Sequence, residues 1–346
     1  NRVVLPQYGA KLMQRDVTID ILRVCGLLLI MLAHVNPPNL IFQIRTFDVP
    51  MMIFVSGVSY FLSKKADVSY FSYAFSRFKR LVLPVWIFLF FFFLTIYLFR
   101  PVNFLDLLSV KNILSTYMLN GFGYVWVIRV FLIIAILSPL YVYLTKNSSS
   151  YSIAIIVLFL LLVSLLLSIF PYEKHGKLLS HIFDDVLFPA ISYGAVFILG
   201  YNYFLFNTKQ KIFVFSLFLL VFCLYLMLNY FMFGVVNGPQ SYKYPPTLYY
   251  IAYSIVVMLV LYHAVNLLML RRNVWPIILI ISSNTIWIYL WHIPVVEYFY
   301  RYNNETSFFL KYLVVFFIST SIALTQRFLV MHFFPKSKLM KVIFTG

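Results

Sequence analysis

Val17-Thr-Ile-Asp20-Ile-Leu-Arg23-Val-Cys25-Gly-Leu-Leu-Leu-Ile-Met-Leu-Ala-His34-Val-Asn36 is long and apolar enough to cross a bilayer, yet it carries Asp20, Arg23 and His34. An ionisable side chain at the centre of a spanning helix costs about 2.5–3.5 kcal/mol on insertion scales, so such residues face a partner or a wet cavity rather than lipid. Asp20 and Arg23 stand three apart on one helical turn, where carboxylate and guanidinium lower each other's cost. His34 lies about 16 Å further along a helix axis than Arg23 and therefore at another depth.

The rest of the chain has the same character. Its 346 residues are 63% hydrophobic, 20% aromatic and only 11% charged, which is too little polar surface to cover a soluble globule. Apolar runs of span length recur at 17–36, 47–63, 80–99, 122–144, 151–170, 185–205, 211–233, 246–270, 275–298 and 308–332, about ten in all. Only helices and closed barrels satisfy the backbone in lipid, and these runs have helix length. The expected fold is an all-α polytopic membrane bundle, a single domain over 1–346 with both termini on one side. Residues 1–16 are mixed polar and the first run is full span length, so a cleaved signal peptide is not expected.

Segments on the N-terminal side of this topology hold 16 of the 27 Lys and Arg and the opposite segments hold 8, which makes the richer side, and both termini, cytoplasmic. Arg23, Arg129 and Arg327 fall within spans, Arg327 close enough to an end to snorkel. The net charge of +17 is thus a feature of topology, pointing to membrane lipid and not to nucleic acid. Cys25 and Cys223 read as small buried hydrophobes, with an acyl-cysteine at Cys25 as the chemical alternative.

Other polar residues stand where apolar ones are expected. Asn36-Pro37-Pro38-Asn39 turns the chain, and Asp48 then opens the second span at the depth of His34, either to orient the imidazole or only to cap a helix. The loop from Lys64 to Arg80 ends in Arg77-Phe-Lys-Arg80, whose two guanidinium forks suit phosphate oxygens or simply mark the cytoplasmic side. Trp126 and Arg129, read as about two turns below the outer surface, form either belt packing or a wall for a sugar ring. The tyrosine-rich stretch 237–250, with Tyr244 near its centre, suits carbohydrate stacking or the same belt. Ser282-Ser283-Asn284-Thr285 is a mid-span polar patch, followed by His292 at the depth of His34. Loop residues His175, His181, Asp184 and Asp185 lack ligand spacing, so no metal site is expected. No phosphate loop or nucleophile elbow is present.

Arg23, ten residues and His34 on a first span resemble the acyltransferase-3 family of membrane-bound O-acyltransferases, many of which decorate bacterial polysaccharides. The resemblance continues in order through 47–57, Arg77 to Pro84, Trp126 to Pro139, Tyr244-Pro-Pro-Thr-Leu-Tyr-Tyr250 and Ile288-Tyr-Leu-Trp-His292-Ile-Pro294, essentially the whole chain. It implies acetyl transfer from acetyl-CoA to a carbohydrate hydroxyl at the inner or plasma membrane, with Arg77 and Arg80 at the coenzyme phosphates. Arg23 then lies on the path of the pantetheine arm. His34, with Asp48 beside it, is the expected catalytic centre, as general base or transient acyl carrier. Trp126, Arg129, Tyr244 and His292 are expected on the acceptor. Homo-oligomerisation stays open. A different class of function, secondary transport of an anionic or glycan-linked substrate through Arg23, Arg129 and His34, uses the same polar residues.

Overall fold

The computed structural model describes residues 2–3, 15–63, 69–269 and 276–345. Lys11, Lys64, Lys65, Arg271 and Arg272 of the charge count, and the side chain of His175, lie outside the described residues. A two-residue ladder pairs Arg2–Val3 with Arg15–Asp16, and the chain beyond it is helical. The helices are α1 (Val17–Ala33), α2 (Asn39–Ile44), α3 (Asp48–Leu62), α4 (Tyr70–Phe99), α5 (Val110–Tyr117), α6 (Trp126–Thr145), α7 (Ser150–Ile169) and α8 (Lys177–Ile182). After them come α9 (Gly194–Asn202), α10 (Thr208–Phe233), α11 (Leu248–Met269), α12 (Pro276–Ser283), α13 (Thr285–Tyr302), α14 (Phe308–Phe333) and α15 (Lys338–Phe344).

Among the described residues, eight helical stretches are long and apolar enough to cross a membrane, and the sharply bent pair α12 and α13 makes a ninth. The tenth run is α1, whose 17 residues extend about 25 Å, slightly less than a hydrocarbon core of about 30 Å. One boundary matters for function. The third run begins at Tyr70 and not at residue 80, so Arg77 and Arg80 stand inside a helix and not at the mouth of a loop. Hydropathy ends a span at its first charges, whereas Tyr70 to Arg80 contains no glycine or proline to stop a helix.

The break between α12 and α13 falls at Asn284, just after Ser282 and Ser283, side chains that compete with the backbone for its hydrogen bonds. Nη1 of Arg327 lies 3.3 Å from Oγ of Ser283 and 3.4 Å from Oδ1 of Asn284. Arg327 therefore bridges the two polar side chains at the break.

The chain divides into two compact units interleaved in sequence. The first comprises Asn1–Gly26, Gln43–Lys65 and Ser138–Ser282. Its α3 and α9 meet at Gly57 and Gly200, where a Cβ on either would strike backbone of the other helix, so small residues set the approach. The second comprises Leu27–Phe42, Ala66–Leu137 and Ser283–Gly346. There α13 packs against α14 and α4, and the short α15 lies against α4 and α14.

Candidate active site

In the second unit α1 stops at Ala33, because Pro37 and Pro38 cannot continue it and Asn36 takes a left-handed φ of 53°. His34 therefore sits in the turn just past the helix, where the sequence had placed it inside the span; its amide donates to Met31 O at 3.1 Å. Nδ1 of His34 lies 3.0 Å from Nε2 of His292, with the rings stacked at 5.1 Å and 27°. His292 is fully buried, and its Nδ1 meets the carbonyl of Tyr289. A carbonyl only accepts, so Nδ1 of His292 carries that ring's proton and Nε2 its lone pair. His34 must then donate from Nδ1, which makes its Nε2 the basic nitrogen.

The ring of Tyr124 stands edge-on to His34 at 4.8 Å and to His292 at 5.9 Å. Its hydroxyl donates to Glu297 Oε1 at 2.8 Å, and Glu297 Oε2 accepts from Arg301 Nε at 2.6 Å. Arg301 continues to Asp106 at 2.7 and 3.1 Å and lies 4.8 Å over the Phe104 ring. Its hydrogen bonds hold the Asp106 carboxyl below the usual carboxylate range. The Tyr289 hydroxyl donates to the carbonyl of Tyr124, tying the approach to α6 onto α13. His34, but not His292, borders a cavity of about 210 Å³ whose wall also includes Asn36, Tyr124, Tyr300, Asn304 and Lys311. Lys311, counted with the outer-side charges although it falls within the run 308–332, is in the first turn of α14 and buried. A larger cavity of about 900 Å³ in the same unit is walled by residues such as Phe88, Phe92, Trp287 and Trp291. No histidine, carboxylate or cation lines it among the described residues, whereas His34 and Lys311 line the smaller one.

The first unit holds two further polar networks. Arg23 meets Asp20 at 3.1 Å, the pair that the spacing predicts, and reaches Ser282 at 3.1 Å and Ser59 at 3.0 Å. Ser282 donates to Asp20 at 2.5 Å, so the mid-span hydroxyl patch solvates the ion pair. The second network surrounds Asp48, whose carboxylate takes Arg45 at 2.5 Å, Lys243 at 3.1 Å and the Val49 amide at 2.8 Å. Gln240 accepts from Arg45 at 3.2 Å and also from the Thr46 hydroxyl. Burial pulls the Lys243 ammonium below the usual lysine range while Asp48 draws it back up. The carboxylate expected to orient His34 is thus engaged by Arg45 and Lys243, two of the eight cations counted on the outer side; the three-residue spacing of Arg45 and Asp48 was the available signal.

A sequence model of the acyltransferase-3 family, described as an acyltransferase domain, matches residues 16–326. The chain belongs to that family. It is a multi-pass membrane acyltransferase. No curated protein and no solved structure matches it.

The other candidate positions of this acyltransferase-3 chain are not drawn into the imidazole pair's hydrogen bonds described above. On α4 Arg77 is half-buried, with its guanidinium 5.0 Å from the Tyr73 ring, and Arg80, one turn on, is exposed. Trp126 and Arg129 are partly buried on the first turn of α6. Tyr244 is exposed, its ring 6.0 Å from the Lys243 ammonium. Sequence reasoning missed Tyr124, Arg301 and Lys311. Only Lys311 had left a clear sign, as a cation four residues into an apolar helix.

Proposed function

We propose that this acyltransferase-3 protein moves an acetyl group from cytoplasmic acetyl-CoA to a hydroxyl of a cell-envelope or extracellular polysaccharide, or of its lipid-linked precursor, at the inner or plasma membrane. The observation that carries the reading is the chain from His34 through His292 to the Tyr289 carbonyl, beside a cavity walled by hydroxyl, amide and aromatic groups. Such walls suit a sugar, and the relay suits a general base. The acceptor hydroxyl gives its proton to Nε2 of His34 as its oxygen attacks the thioester carbonyl. A C–O bond forms, the C–S bond breaks, and the proton passes on to the departing thiolate. His292 steadies the transient imidazolium by accepting from its Nδ1, as a triad's acid does. Glu297 and Arg301 act indirectly, by fixing the ring of Tyr124.

Arg77 and Arg80 bind the coenzyme phosphates, since two guanidinium groups one helical turn apart share a helix face and each offers a donor fork.

The helix break at Asn284 favours a second reading, because interrupted helices near the midplane are a transporter's means of binding substrate. Purified protein in nanodiscs, given radiolabelled acetyl-CoA and envelope glycan, separates the two. Acetyl ester formed by the wild type and lost in His34→Ala supports transfer. Substrate uptake into proteoliposomes with the thioester intact would replace it with transport.

A further inference from the structure

Lys311 has a burden that the transfer mechanism does not explain. It is 5% exposed, and Nζ donates to the backbone oxygen of Asn304 at 2.7 Å and to its Oδ1 at 3.3 Å. Both acceptors are neutral, and among the described residues no carboxylate lies within ion-pair distance of Lys311. Lysine is rarely buried unless paired with an opposite charge. The position adds a second penalty, because the first turn of α14 is the positive end of that helix's dipole. Only these two neutral acceptors offset the burial and the dipole, and no opposite charge is paired with the ammonium, yet the side chain lines the same 210 Å³ cavity as His34.

A cation that is costly to the empty protein and sits in its reaction cavity is a recognition group for an anion. Resting on the acetyl-transfer reading of that cavity, we propose that Lys311 binds an anionic group, carboxylate or phosphate, carried by the acceptor sugar close to the hydroxyl that is acetylated. The acceptor is then an acidic glycan. The donor's own phosphates are already assigned to Arg77 and Arg80, which leaves the charge beside His34 to the acceptor. Asn304, which holds the ammonium, and Tyr300 on the cavity wall supply neutral hydrogen bonds to the rest of the ring.

The test uses the full chain in nanodiscs and pairs of oligosaccharides that differ only in a terminal glucuronate or glucose. The wild type is expected to show a KM about tenfold or more lower for the acidic member. Lys311→Met should abolish that ratio and Lys311→Arg should keep part of it. Melting temperatures read the same site without chemistry. Free glucuronate should raise that of the wild type and leave that of Lys311→Met unmoved, while unliganded Lys311→Met should melt no lower than wild type. Equal KM values for the two acceptors, or an unchanged ratio in Lys311→Met, overturn the proposal. Loss of preference only for a dicarboxylic acyl-CoA also overturns it, by assigning the charge to the donor. Absence of transfer to any acceptor would count against acetyl transfer itself; the glucuronate shift would then decide for or against the anion site alone.

Discussion

His292→Ala removes the acceptor of the His34 Nδ1 proton and leaves the basic Nε2 chemically intact. In the resting protein the bond joins two neutral rings across 3.0 Å; once His34 takes the acceptor's proton it becomes charge-assisted. A hydrogen bond to a charged group contributes about 1.5–3 kcal/mol, and only the part that appears on protonation counts towards the barrier. The expected loss in kcat is therefore about 10- to 100-fold, with KM for acetyl-CoA little changed. His34→Ala removes the base itself and should cost about 10²–10⁴-fold. Because His292 works only through His34, the double variant should be no slower than His34→Ala alone. Steady-state transfer of radiolabelled acetyl by purified protein, at matched folded fraction by thermal melting, measures all three. Wild-type kcat in His292→Ala, or losses that multiply in the double variant, would refute the relay.

Arg77→Ala and Arg80→Ala should each weaken acetyl-CoA binding about tenfold or more by calorimetry, with lysine rescuing only partly; unchanged affinity in both would reduce the pair to topology-setting charge. Asp48→Ala strips the countercharge from the buried Arg45 and Lys243, so it should cost about 3–5 kcal/mol of stability and lower the melting temperature. A stable Asp48→Ala protein that is catalytically dead would restore Asp48 to the chemistry. Single cysteines at Ser69 and Ser241, in a background with Cys25 and Cys223 replaced, should label oppositely with an impermeant maleimide on intact cells, Ser241→Cys reacting and Ser69→Cys not. The reverse pattern would put Arg77 and Arg80 on the wrong side for cytoplasmic acetyl-CoA.

The membrane class, the helical runs, the Asp20–Arg23 pair and the family resemblance were legible in the sequence. Each depends on neighbours along the chain: the insertion cost of a run, the i,i+3 geometry of one turn, the order of short motifs. The site was legible only as unconnected residues. His292 pairs with His34 in the sequence only by its depth, but their contact spans 258 positions, and the tautomer that makes Nε2 of His34 basic follows from a carbonyl at Tyr289. The charge count likewise put Arg45, Lys243 and Lys311 among the cations of the outer side, whereas packing buries all three. Charge and composition belong to the chain, but whether a charge meets water, a carboxylate or a cavity wall depends on which distant segments close around it, and only the tertiary structure decides that.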